Sequence, residues 1–192
     1  MNLKGKNVGF AFTGSFYSFP KTILELKKII DLEANVIPIM SFNAYYLDTN
    51  FKKAKDFRKA VKEITCKEII HTIQNAEAIG RKNIFDVLII APCTGNTLSK
   101  LACDITDSPV LLATKSHLRN SKPVVIAIST NNGLSGNAEN IGKLLNRKHY
   151  FFVPFKQNNP ITKPYSISFS PSYIIPTIEH ALENKQLQPL LL

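Results

Sequence analysis

Asp86-Val87-Leu88-Ile89-Ile90-Ala91 runs straight into Pro92-Cys93-Thr94-Gly95-Asn96-Thr97, so an unbroken apolar segment gives way at once to hydroxyl, amide and glycine residues. Apolar side chains on consecutive positions read as a strand buried on both faces, as in a sheet covered by helices on either side. The same reading extends outward to residues 7–12, 35–40 and 123–129, with 150–155 as a fifth strand. Between them the apolar residues recur at helical spacing over 20–32, 55–73, 97–105, 108–118 and 137–146, and a last helix fits 172–184 with Pro176 in its first turn or at a kink. Strands alternating with helices predict one α/β domain over residues 1–192, a three-layer α/β/α arrangement around a mostly parallel sheet, flavodoxin-like or Rossmann-like. The stretch at about 156–171, with Pro160, Pro164 and Pro171, reads as a long proline-rich loop of the kind that serves as a lid or subunit contact.

In an open parallel sheet, ligands bind beyond the carboxyl ends of the strands, where backbone amides and helix N-termini point at them. Four such ends are Thr13-Gly14-Ser15, Ser41-Phe42-Asn43-Ala44, Pro92-Cys93-Thr94-Gly95-Asn96-Thr97 and Ser129-Thr130-Asn131-Asn132-Gly133. Glycine admits close approach of the backbone to an anion, while Ser, Thr and Asn cap the next helix and hydrogen-bond phosphate oxygens. One loop of this kind is explained by capping; four at one sheet edge point to a phosphate-bearing ligand. The usual phosphate loops are missing. Only Gly14 lies in the first turn, so no Gly-x-Gly-x-x-Gly is present, and there is no Gly-Lys-Ser or Gly-Lys-Thr. A mononucleotide is therefore expected rather than a dinucleotide or a nucleoside triphosphate.

Charge and cysteine content narrow the partners. The chain carries 24 basic against 14 acidic residues, a formal net charge of +10. Such a balance suits an anionic partner. The basic run over 51–82, with nine Lys or Arg, fits a solvated helix face better than a nucleic-acid stripe, so no nucleic acid is expected. Cys66, Cys93 and Cys103 have no Cys-x-x-Cys spacing and no histidine pair beside them, and no metal site is expected. Apolar runs fall far short of the roughly 20 residues that span a bilayer, and no signal peptide is visible at the N-terminus. A cytoplasmic protein without membrane contact is expected.

Three blocks carry a resemblance. Gly9-Phe10-Ala11-Phe12-Thr13-Gly14-Ser15, then Ser41-Phe42-Asn43-Ala44, then Ala91 through Thr97 followed by Lys100-Leu101-Ala102 and Asp107, resemble the FMN-binding flavoprotein family that includes phosphopantothenoylcysteine decarboxylase and lantibiotic peptidylcysteine decarboxylases. The third block corresponds to that family's Pro-Ala-Ser-Ala-Asn-Thr signature, with Pro92, Asn96 and Thr97 retained. Leu3-Lys4-Gly5-Lys6, Thr106-Asp107-Ser108-Pro109-Val110-Leu111, Ile128-Ser129-Thr130-Asn131 and Gln186-Leu187-Gln188-Pro189 extend the likeness over nearly the whole chain. They resemble a group within that family, from spore-forming bacteria, whose members act with a nicotinamide-dependent A subunit to form pyridine-2,6-dicarboxylate, or dipicolinate.

The resemblance implies FMN on this chain, NADP on the A subunit, a homo-oligomer, and oxidation of a dihydro or hydroxytetrahydropyridine dicarboxylate during sporulation. It places Gly14 and Ser15 at the FMN phosphate with Ser41 and Asn43 beside it, and Pro92, Cys93, Thr94, Gly95, Asn96 and Thr97 along the isoalloxazine or ribityl chain, with Thr13 also among the cofactor-binding residues. Ser129, Thr130 and Asn131 fall where the decarboxylases carry a Pro-x-Met-Asn substrate clamp. The decarboxylase histidine is absent: its position falls near Ala78. An FMN-dependent cysteine-type decarboxylase and a non-enzymatic subunit that has lost its flavin are the alternatives. No catalytic residue is assigned. Cys93 reads as a small filler, His71, His117, His149 and His180 as packing or surface histidines, and Lys100 as a structural cation. Asp104 and Asp107 read as caps of the helix beginning near Ser108.

Overall fold

A computed structural model describes residues 3–50 and 53–192. Phe51 and Lys52, at the head of the basic run, lie outside the described residues. The elements run β1 (Asn7–Phe12), α1 (Phe19–Asp31), β2 (Asn35–Met40), α2 (Phe42–Tyr46), α3 (Ala54–Thr65), α4 (Ile73–Lys82), β3 (Val87–Cys93), α5 (Gly95–Ala102), α6 (Pro109–Leu118), β4 (Val124–Thr130), α7 (Ala138–Leu145), β5 (Tyr150–Phe152), β6 (Phe155–Asn159), β7 (Lys163–Phe169) and α8 (Ile174–Leu182). The parallel strands are ordered β2-β1-β3-β4-β5, the flavodoxin-like order.

The unbroken apolar run of β3 has a direct cause. Val87, Ile89 and Ala91 pack on one face with Phe12 and Phe19, Leu26 and Ile29 of α1, Phe57 of α3 and Ile178 of α8. Leu88, Ile90 and Cys93 pack on the other with Ile79 of α4, Leu98 of α5 and Val110 of α6. Both faces of the strand are core, so alternation disappears from its sequence.

Three expectations are corrected. The helix read over 55–73 stops early: α3 is capped by Cys66 in the left-handed conformation, φ 50°, residues 66–72 are not helical, and α4, a helix the sequence reading did not expect beyond 73, begins only after Thr72, whose hydroxyl caps it by accepting from the Asn75 amide. The break exists because β2 is an edge strand with free backbone groups. Ile70 satisfies them, its amide donating to Pro38 O at 2.9 Å and its carbonyl accepting from Met40 N at 2.9 Å.

The proline-rich loop at 156–171 is instead an antiparallel hairpin, β6 and β7. Pro160 lies in its turn, and Pro164 falls where the ladder shifts register, so neither removes a needed donor. β7 pairs with the last residues of β4, taking up the edge that β5 leaves.

Asp104 and Asp107 do not cap α6. Ser108 does, accepting from Leu111 N, while Asp104 pairs with Arg147 and Asp107 with Lys100.

Candidate functional site

The carboxyl ends of β1 and β3 are held at fixed spacing by one buried hydroxyl. Thr13 Oγ1 donates to Pro92 O at 2.7 Å and accepts from Thr94 N at 3.0 Å, tying the first loop to the third. Thr94 in turn caps α5, accepting from Thr97 N, so the helix start is locked to the same point.

Beyond this tie opens a cleft of about 750 Å³, within the range of small-molecule sites. Gly14, Ser15, Ser18 and Lys21 line it from the first loop and α1. Thr94, Gly95 and Asn96 line it from the third loop, and Ser129 through Asn132 from the fourth. The hairpin covers one side with Lys156, Asn158, Lys163, Ser166 and Ser168.

At its floor three serine hydroxyls meet. Ser129 Oγ lies 2.8 Å from Ser15 Oγ and 2.9 Å from Ser18 Oγ, and the latter two are 3.3 Å apart. Ser129 lies more than a hundred positions from Ser15 and Ser18, and they are brought together because β1 and β4 flank β3 and end at the same level. Each hydroxyl is one donor that rotates at little cost, so together they can turn three donors toward one anion.

A second polar network braces the wall. Asn132 Oδ1 accepts from Thr130 Oγ1 at 2.6 Å and from Asn137 Nδ2 at 2.7 Å, and Asn137 Oδ1 accepts from Ser99 Oγ at 2.8 Å. Gly95 lies against this network. A Cβ there would stand 2.4 Å from Thr130 Oγ1 and 2.6 Å from Asn137 Nδ2, so the α5 N-terminus can dock only as glycine.

Of the residues singled out in the sequence, the cleft gathers Gly14, Ser15, Thr94, Gly95, Asn96, Ser129, Thr130 and Asn131. Thr13 stands behind the wall as the tie. Asn43 packs beside Gly14, where a Cβ on the glycine would meet it at 3.4 Å. Ser41 caps α2, accepting from Ala44 N. Pro92, Cys93 and Thr97 are buried and do not line the cleft. Cys93, fully buried, has its thiol pushed far up by desolvation, which keeps it protonated and inert.

The histidines have packing roles. His71 stacks on Tyr45 with ring centroids 3.9 Å apart, and buried His117 donates its Nε2 proton to Pro123 O at 3.0 Å. No histidine and no carboxylate lines the cleft among the described residues. Sequence reading missed Ser18, Lys21 and the hairpin residues. The alternation Ser166-Ile167-Ser168-Phe169 was the available strand signal in a segment dominated by its prolines.

Comparison with known proteins fits this geometry. The chain is 40% identical over 190 residues to the B subunit of dipicolinate synthase from Bacillus subtilis (strain 168), covering 99% of this chain and 95% of that protein. The crystal structure of the dipicolinate synthase B subunit from Bacillus halodurans C superposes with a TM-score of 0.92 at 40% identity, over 100% of this chain and 98% of the other. The FMN-dependent cysteine decarboxylase SpaF shares the fold at 17% identity, with a TM-score of 0.68 over 92% of this chain and 99% of that one. The Flavoprotein family model matches residues 1–167. The chain therefore belongs to the Flavoprotein family, and its full-length likeness is to dipicolinate synthase B subunits.

Proposed function

We propose that this chain binds FMN in the cleft and acts as the B subunit of a dipicolinate synthase. With a nicotinamide-dependent A subunit it would form pyridine-2,6-dicarboxylate from a dihydro or hydroxytetrahydro precursor. The observation that carries the reading is the three-serine cluster at the carboxyl ends of β1 and β4. Its donor chemistry fits a terminal phosphate monoester: three neutral hydroxyls within 3.3 Å of one another, Lys21 lining the same cleft, and no carboxylate lining it among the described residues. Thr94, Gly95 and Asn96 then border the remainder of the cofactor.

Bound there, a flavin supplies a two-electron acceptor for a ring that becomes aromatic on oxidation. The chain's own part is to orient the dicarboxylate against that acceptor and to exclude water. The polar wall of Asn131, Asn132 and Asn158 offers amide donors and acceptors without a titrating group at the reacting atoms. No histidine lines the cleft among the described residues, and the position of the decarboxylase histidine falls near Ala78, which weighs against a decarboxylase.

FMN titration of the purified chain, followed by the visible flavin band and by fluorescence quenching, tests the first half. Saturable binding with one flavin per chain is expected, and a chain that leaves the flavin spectrum unchanged refutes it. Adding the A subunit and the dihydropyridine precursor tests the second half, since product should require both subunits. The same reading includes a homo-oligomer and a cytoplasmic location.

A further inference from the structure

The cleft carries charge of one sign. Lys21, Lys156 and Lys163 line it, no aspartate or glutamate does, and none of the three lysines forms an ion pair among the described residues. Two of these cations stand on the hairpin, away from the serine floor. In the antiparallel ladder Ser129 of β4 is level with Ser168 of β7, which is level with Lys156 of β6. This row sits on one face of three neighbouring strands. With strands about 4.8 Å apart, the Lys156 backbone lies roughly 10 Å from that of Ser129. Lys156 is thus anchored two strands away from the serine floor, on the hairpin side of the same cleft.

The hairpin surface bearing these lysines is braced by its own hydrogen bonds. Asn158 Nδ2 donates to Ser166 Oγ at 2.6 Å, and Ser168 Oγ donates to Asn158 Oδ1. At the turn, Asn159 Oδ1 accepts from Ile161 N at 2.9 Å and Thr162 N at 2.8 Å, fixing the backbone that leads into Lys163. Both lysines thus line the cleft from a strand pair braced by its own hydrogen bonds.

We propose that Lys156 and Lys163 form a carboxylate-reading pair that selects a small planar molecule bearing two carboxylates, one carboxylate to each ammonium. The inference rests on the functional reading above and extends it from the cofactor to the substrate. A single exposed ion pair is weak. Two carried on one braced hairpin, facing a rigid dianion with no aspartate or glutamate lining the cleft among the described residues, distinguish a dicarboxylate from a monocarboxylate. The distinction arises because the monoacid leaves one ammonium without a partner.

The test is calorimetric titration of the FMN-loaded full chain with the sodium salts of pyridine-2,6-dicarboxylate and pyridine-2-carboxylate in metal-free buffer. The wild type should prefer the diacid by at least about tenfold, the scale of one charge-assisted contact. Lys156→Met and Lys163→Met should each remove most of that preference while leaving FMN affinity within about twofold, and Lys148→Met, outside the cleft, should behave as wild type. Equal binding of the two acids by the wild type, an undiminished preference in both variants, or an equal loss in Lys148→Met would overturn the proposal. Loss of FMN affinity in the hairpin variants would also overturn it, assigning the lysines to the phosphate. If the chain takes up no FMN, the reading of the cofactor fails, yet the same titrations on the flavin-free chain still decide whether these lysines select the diacid.

Discussion

Gly14 stands where the first loop meets the cleft, and its backbone is outside the left-handed region, so a side chain is tolerated there. Gly14→Ala should therefore leave the fold intact and weaken FMN binding only a few-fold. Gly14→Asp adds a carboxylate beside the serine cluster and should lower FMN affinity at least about a hundredfold, because a like charge opposes the phosphate in a partly desolvated site. Equal affinity of the two variants, read by fluorescence titration, would remove the phosphate from this corner.

His117 makes a separate prediction about stability. Burial pushes its pKa down from 6.5 to about 4, against a smaller upward pull from its hydrogen bond to Pro123 O. The folded protein therefore holds the ring neutral, while the unfolded chain takes up a proton below pH 6.5. Stability associated with this residue is complete above pH 6.5 and is lost as the pH falls toward 4, by an amount on the order of 3 kcal/mol. Urea denaturation across this window should show that decline. His117→Gln, which keeps an amide donor for Pro123 O without titrating, should flatten it.

At the scale of elements, the α5 N-terminus depends on the absence of a side chain at Gly95. Gly95→Ala drives a methyl into Thr130 Oγ1 and Asn137 Nδ2 and breaks the network that braces the fourth loop. The expected cost is about 1–3 kcal/mol, seen as a lower thermal midpoint, with weaker FMN binding alongside. An unchanged midpoint would mean that the asparagine network yields freely.

The same scale explains what the sequence disclosed. The parallel strands were legible because two-sided burial writes itself as consecutive apolar residues, and the loops after β1, β3 and β4 because caps and anion cradles draw on one small set of residues. The break after Cys66 was not, since the apolar spacing continues through it and the cause lies in the exposed edge of β2, a tertiary partner. The β6–β7 hairpin was hidden by three prolines that mark loops in general, here placed at a turn, a register shift and the start of the helical turn before α8. With the hairpin went Lys156 and Lys163, while Ser18 was passed over because its hydroxyl meets Ser129 only once β1 and β4 are placed beside β3.

For the whole molecule, charge and apolar exposure oppose one another. Tyr17, Leu24, Tyr46 and Leu47 are 72%, 59%, 59% and 48% exposed, and an apolar hollow of about 370 Å³ lies between α1, α2 and α3. Removing this surface from water would favour the proposed homo-oligomer by roughly 25 cal/mol per Å² of apolar area covered. The net charge of +10 on each chain works against it. Assembly should accordingly strengthen as salt rises, because at about 0.5 M the screening length drops to a few ångströms while apolar contacts persist. Sedimentation velocity should give a mass that is a multiple of 21.5 kDa and grows firmer with sodium chloride. Tyr46→Glu and Leu47→Glu, at side chains about half exposed in the single chain, should shift the distribution toward monomer, with far-ultraviolet circular dichroism checking that each variant is folded. A monomer at every salt concentration would refute the homo-oligomer, and an assembly indifferent to both variants would assign it to another face.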